Sequence, residues 1–315
     1  MYLWVEKEMK YSIPSWMKEL TDQVNRTGGE GMPGVLQNFG LINRAGRLLS
    51  QEPFLTDFSE LVERHEAELS ERQVQTEGLS ALSYPKLTGS GSKNWRKQLH
   101  TWMQTILDAF LGFSVEVPEP PALNRTQRRA LKKYGFMVLY VPALDEIRYP
   151  EHMIRSAWGQ YFIERIPLSG QWVAFEMIVK PDYSDVYPSD QLMADIGIKT
   201  RFAHPHSGKG EGDDIVDILP KIARKLSLKD GQQVQLSTAE TWNFVANLFN
   251  WLTANTALTL PDLGSTLSWE WTANCYGSRY RVIVGDCADG GLADVHSCWR
   301  SYRNDRVGFR VLVDL

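Results

Sequence analysis

Apolar positions along the chain follow two periods. From Thr56, the residues Phe58, Leu61, Val62, His65 and Leu69 recur at helical spacing with charged residues opposite, which predicts an amphipathic helix. After a flexible break at Leu87–Lys93 (LTGSGSK), Trp95, Leu99, Trp102, Met103, Ile106 and Phe110 mark a second helix with one apolar stripe. The character then changes: Phe136–Val141 and Gln171–Val179 are apolar, β-branched or aromatic runs and read as strands. Ser237–Glu240 has the S-x-x-E form of a capping box, and Trp242, Val245, Phe249 and Leu252 continue it as a helix facing a core. Near the end, Arg279–Val284 and Val307–Val313 read as strands. In the second, Val307, Phe309, Val311 and Val313 alternate with Gly308, Arg310 and Leu312, which predicts a strand with one face buried. Trp269 and Trp271 point the same way along an extended chain, so Glu270 between them is expected to face outward or cap a backbone.

The breaks divide the chain. Gly28, Gly29, Gly31 and Gly34 with Pro33 interrupt any long element in the first 55 residues. Val117–Pro121 (VPEPP) is the strongest boundary, because clustered prolines stop helices and stiffen linkers. We therefore expect a mainly helical N-terminal region over 1–122 and a second domain over 123–315. Gly285–Arg306 is glycine-rich, then dense in polar and aromatic residues. This composition fits a surface loop or twisted ribbon carrying contact residues.

Composition narrows the function. The 315 residues carry a net charge of −4, which argues against general nucleic-acid binding. Asn124–Lys133 (NRTQRRALKK) holds five basic residues in ten, but a solvated helix face explains them. The three cysteines all lie in 275–298, which is no disulfide framework and fits a reducing compartment. The N-terminus, MYLWVEKEMKYSIPSW, has charges inside its apolar stretch, so no signal peptide is expected. No apolar run reaches the length of a membrane span. Cytoplasmic location is the default.

Candidate metal chemistry is sparse. His204-Pro205-His206 and Asp213-Asp214 offer donors, yet H-x-H alone cannot close a site. Asp182, Asp185 and Asp190 lack the spacing of a calcium loop, and His65 on its helical stripe reads as a hydrogen-bonded core histidine. No cofactor or metal is expected.

In order, W-E-W (269–271), R-V-I-V-G (281–285), W-R-S-Y-R (299–303) and V-G-F-R-V-L (307–312) resemble the C-terminal half of the C-type-lectin-like fold. The nearest branches are the formylglycine-generating/sulfatase-modifying family and the variable proteins diversified by retroelements. Val234–Asn243 (VQLSTAETWN) is similar to the R-L-P-T-x-x-E-W-E block of that superfamily. The resemblance covers roughly residues 135–315 and implies an α+β, C-type-lectin-like C-terminal domain. It also implies that Phe136–Val141 pairs with Val307–Val313.

The two branches imply different functions. Formylglycine-generating oxidases use a close pair of cysteines in the arginine-rich block before the G-F-R strand. Here Cys298 stands in that block, but Ala293 and Arg303 occupy the positions of a close partner, and Cys275 and Cys287 are distant. The histidine triad of the related sulfoxide synthases is not reproduced by His204, His206 and His296. Retroelement-diversified proteins keep their variable residues near the C-terminus, on a scaffold ending in a G-F-R strand. By that resemblance, segment 274–306 is a variable binding face. Its contact residues are Tyr276, Ser278, Arg279, Arg281, Asp286, Cys287, Asp294, His296, Ser297, Cys298, Arg300, Ser301, Tyr302, Arg303, Asp305 and Arg306. Adenine-directed mutagenesis of asparagine codons yields this kind of unrelated assortment. Trp299 reads either as a core aromatic or as an anchor. The expected function is binding of an unknown protein or cell-surface ligand, with the N-terminal helices serving oligomerisation or attachment. A fixed C-type-lectin-like interaction module that was never diversified is the third reading.

Overall fold

The computed structural model describes residues 79, 82–89, 92–144, 167–182, 187, 189–209, 213–264, 266–285 and 295–315. Contacts divide the chain after Gln75, and all described residues belong to the second unit, Thr76–Leu315. The helix expected from Thr56, with His65, and the glycines at 28–34 lie outside the described residues.

Helix α1 (Trp95–Leu111) buries Trp95, Leu99, Trp102, Met103, Ile106 and Leu107 along its apolar stripe. It ends at Gly112, whose left-handed backbone (φ 72°) lets its N–H reach Asp108 O. Helix α2 (Arg125–Lys133) opens with a capping box in which Asn124 and Gln127 each accept the other's backbone N–H. The boundary expected at Val117–Pro121 lies inside this unit. Its carbonyls face His100 (2.8 Å) and accept from Trp172 Nε1 (3.1 Å) and Arg96 Nε (2.7 Å). Among the described residues no helix is long and apolar enough to cross a membrane.

The remaining elements are β1 (Phe136–Leu144), β2 (Leu168–Glu176), α3 (Gln191–Asp195), α4 (Ile215–Lys225), β3 (Gln233–Leu236) and α5 (Ala239–Asn255). They continue with β4 (Trp269–Tyr276), β5 (Tyr280–Val284), β6 (Val295–Trp299), β7 (Val307–Phe309) and β8 (Val311–Asp314). The architecture is α+β, with two four-stranded sheets ordered β1-β2-β8-β3 and β6-β5-β4-β7. The first strand does not pair with the C-terminal one as the resemblance implied. β2 lies between them, pairing antiparallel with β1 from Phe136↔Glu176 onward and with β8 from Val173↔Asp314.

Nor is Val307–Val313 one strand with one buried face. The chain changes sheets at Arg310: β7 runs parallel to β4, while β8 runs antiparallel to β2 and β3. Both faces are buried along the whole run, Gly308 and Arg310 included. Period two therefore marks which side each residue takes, but not which side meets water.

Helix α5 touches both sheets. Every residue from Ala239 to Phe249 is buried, Phe249 packs edge-on against Phe175 of β2, and Trp242 Nε1 donates to Glu270 of β4. Its cap is Thr238 rather than Ser237: the Thr238 side chain accepts from Thr241 N–H. Glu240 does not close a capping box but accepts from Asn274 Nδ2 (3.0 Å), while Asn274 Oδ1 accepts Ala239 N–H (2.7 Å). A register shift in β4 between Trp271 and Cys275 accompanies this contact.

Candidate functional site

β5 and β6 form an antiparallel ribbon from Tyr280↔Trp299 to Val284↔Val295. Its inner face is core: Val282, Val284 and Val295 are fully buried. Its far end is open. Trp299 and Tyr302 keep 50% and 54% of their surface exposed, and the Trp299 ring lies 4.8 Å from that of Tyr280. Trp299 is therefore no core residue in this chain.

Of the sixteen residues expected on the binding face, Ser278, Arg279, His296, Ser301, Tyr302, Arg303, Asp305 and Arg306 are exposed. Arg281, Ser297, Cys298 and Arg300 are half-buried. Tyr276 ends β4 opposite Tyr280. Asp286, Cys287 and Asp294 lie outside the described residues. Tyr276, Ser278, Arg279 and Arg300 thus meet at the β4–β5 hairpin end of the second sheet, whereas His296, opposite Ile283, and Arg306, whose carbonyl accepts Trp269 N–H, lie toward its other end. A turn closed by Tyr302 N–H to Trp299 O (2.8 Å) carries Arg300 and Ser301.

The segment that carries His204, His206 and Asp213 fixes this turn. Ala203 N–H donates to Asn304 O (3.0 Å), and His206 N–H donates to Arg300 O (2.8 Å). Arg303 forks onto Asp213, with Nη2 2.8 Å from Oδ1, and that pair holds the Asp213 carboxyl below its usual range. Next to it, Asp214 is buried at the N-cap of α4. Burial works to raise its pKa, but the Ser207 hydroxyl and the N–H groups of Val216, Ser207 and Gly208 hold it low.

His204 and His206, the donors of the H-x-H pattern, both lie in this segment. The His204 ring nitrogens face Asp213 O (2.7 Å) and Thr200 O (2.9 Å). His206 packs edge-on against Trp271, and its buried Nδ1 has no hydrogen-bond partner among the described residues. Burial first, then the Arg281 charge, push its pKa down to about 4 against a weaker pull from Asp214. Among the described residues no three His, Cys, Asp or Glu side chains gather as a metal set.

Beneath the ribbon lies a buried charge network that the sequence reading missed. Glu270 was expected to face outward or cap a backbone; it is fully buried and its carboxylate accepts from side chains. Its carboxylate accepts from Arg310 Nε (3.1 Å) and Nη2 (2.9 Å), Trp242 Nε1 (2.8 Å) and Tyr187 Oη (3.0 Å). The correction has a plain cause. β4 is an inner strand with α5 over one face, so both the tryptophan side and the glutamate side are core. Burial works to raise the Glu270 pKa, but Arg310 and Lys180 bring it below the ordinary value. A second buried pair joins Arg201 to Glu176 (2.5 Å) and to Asp190 (2.6 Å). Lys180 Nζ donates to Ser268 O (2.6 Å) and Gly285 O (2.5 Å), tying the start of β4 to the end of β5.

The two described cysteines, Cys275 and Cys298, do not form a close pair. Cys275 in β4 and Cys298 in β6 both neighbour Arg281 in β5, so a whole strand separates them. Two strand spacings amount to roughly 9–10 Å, well beyond two thiolates on one metal at about 2.3 Å each. Burial pushes the Cys298 thiol up, away from the reactive thiolate. Comparison of the chain with protein-family models, curated proteins and solved structures found no match.

Proposed function

We propose that this protein is a ligand-binding display protein. Its C-terminal domain is of the C-type-lectin-like kind, and segment 274–306 is the variable face of a retroelement-diversified target. The observation that carries this reading is the division of labour at the ribbon. The chemically unrelated residues from Ser278 to Arg306 that are described lie exposed or half-buried. The strands that hold them rest on a buried, fully paired Glu270–Arg310 centre. Such a division lets side chains on the open end change without disturbing the core. Affinity comes from rigid aromatic and arginine anchors already in position, which lowers the ordering cost of binding. Trp299, Tyr302, Arg300 and Arg303 are the first anchors. The region before residue 123 serves oligomerisation or attachment to a carrier.

The gene itself supplies the test. A near-copy of codons 274–306 close to a reverse-transcriptase gene, differing only where the copy has adenine, is the expected finding. If the flanking kilobases hold no such copy, the face is fixed and the domain serves one partner.

A further inference from the structure

β6 is the outer strand of its sheet, paired with β5 on one side and with no described strand on the other. One contact sets its hydrogen-bond phase. Arg300 N–H donates to Arg279 O across the ribbon, so the Arg300 N–H points inward, while its carbonyl accepts from His206 N–H. Alternation along an antiparallel strand then turns the backbone groups of Val295, Ser297 and Trp299 outward, where the Trp299 carbonyl already accepts the Tyr302 N–H. The outward N–H and C=O of Ser297 meet the neighbouring His296 Nδ1 at 2.8 and 2.9 Å. A single ring nitrogen cannot accept from the first and donate to the second at once. One of the two groups is left for solvent or a partner.

The Arg279 and Arg300 charges at this end of the ribbon also have no carboxylate partner among the described residues. Arg279 and Arg300 adjoin across the strands, and Arg281 lies two residues along. Like charges directly opposite one another destabilise a strand pair. Among the described residues neither Arg279 nor Arg300 makes an ion pair, and nearby Asp213 is already forked by Arg303. Arg281 is held within the fold by Ala273 O and Cys275 Sγ, but the Arg279 and Arg300 guanidinium groups have no such tie among the described residues and are available to a partner. Half-exposed Trp299 sits beside them as an apolar anchor.

The geometry points to an extended acidic segment of a protein partner, added as a strand to the Val295–Trp299 edge. Its backbone pairs with the outward groups of Ser297, its carboxylates meet Arg279 and Arg300, and an apolar residue covers Trp299. This inference rests on the ribbon being a binding face. It commits that face to one partner chemistry for this chain.

The test uses the full chain and a fluorescein-labelled decapeptide of alternating Glu and Thr with one central Trp, followed by anisotropy at low salt. Saturable binding is expected, with none for the same peptide carrying Lys in place of Glu. Arg279→Glu with Arg300→Glu weakens it by about tenfold or more. Ser297→Pro removes an N–H that points away from β5, so the ribbon persists while binding falls by about tenfold. A peptide N-methylated at alternate residues repeats that loss without altering the protein. The inference is overturned if the acidic peptide fails to bind at about 1 mM, or if the Lys peptide binds equally. It also falls if Ser297→Pro and N-methylation both leave binding unchanged, or if sedimentation shows β6 occupied by a second copy. A template copy in the gene without acidic-peptide binding refutes strand addition alone and leaves the diversified face intact.

Discussion

Replacing Glu270 with alanine attacks the point on which the ribbon stands. The carboxylate is fully buried and takes hydrogen bonds from Arg310 twice, Trp242 and Tyr187. Its removal leaves the Arg310 guanidinium, itself 1% exposed, without a counter-charge. Breaking a buried pair on one side costs about 3–5 kcal/mol, against a total stability of about 5–15 kcal/mol for a domain. Guanidinium unfolding followed by tryptophan fluorescence reads the change, since Trp242 and Trp271 are both buried in this region. The midpoint should fall at unchanged slope. Glu270→Leu combined with Arg310→Met removes both charges together and should recover most of the loss. A Glu270→Ala cost below about 1 kcal/mol would refute the claim that this pair holds the strands in place.

Three further outcomes follow from local geometry. A Cβ at Gly308 would stand 2.6 Å from Tyr187 Oη and 2.9 Å from its Cε2. Gly308→Ala should therefore lower stability by about 1–3 kcal/mol, read as a drop in thermal midpoint; an unchanged midpoint would show that Tyr187 moves aside freely. His206 is held neutral with a pKa near 4 against an ordinary 6.5. The unfolded chain takes up this proton below pH 6.5 while the folded one resists. Stability should thus fall by about 3 kcal/mol between pH 6.5 and 4, a slope that His206→Gln abolishes in pH-dependent unfolding. Arg303→Ala breaks an ion pair whose partners are 43% and 44% exposed, so its cost should stay under about 1 kcal/mol in urea unfolding.

Much of the scaffold was legible because it rests on local rules. The apolar stripe from Trp95, the helix in Asn124–Lys133, the run at Phe136 and the strand Arg279–Val284 each appear close to where pattern placed them. What pattern missed depends on partners far along the chain. Lys180 meets Gly285, Glu270 meets Arg310, and Asp213 meets Arg303. A single charged residue between two tryptophans carries no sign of whether its other face is water or helix α5. The split of the last strand at Arg310 was likewise hidden, because its apolar alternation continues across the change of sheet. The candidate face was readable as composition. Its anchoring by Ala203, His206 and Asp213 was not, since a hydrogen bond from a backbone N–H leaves no trace in side-chain identity.

The most direct measurement is a library in which Ser278, Arg279, Ser301, Tyr302, Arg303, Asp305 and Arg306 are randomised together. Each member would be scored for cooperative unfolding near the parental midpoint. A matched library would randomise buried Lys180, Glu270, Gly308 and Arg310. If these exposed residues form a display face on a rigid scaffold, most members of the first library fold and few of the second do. Equal collapse of both would mean that the exposed residues hold the domain together, and the display account would fail.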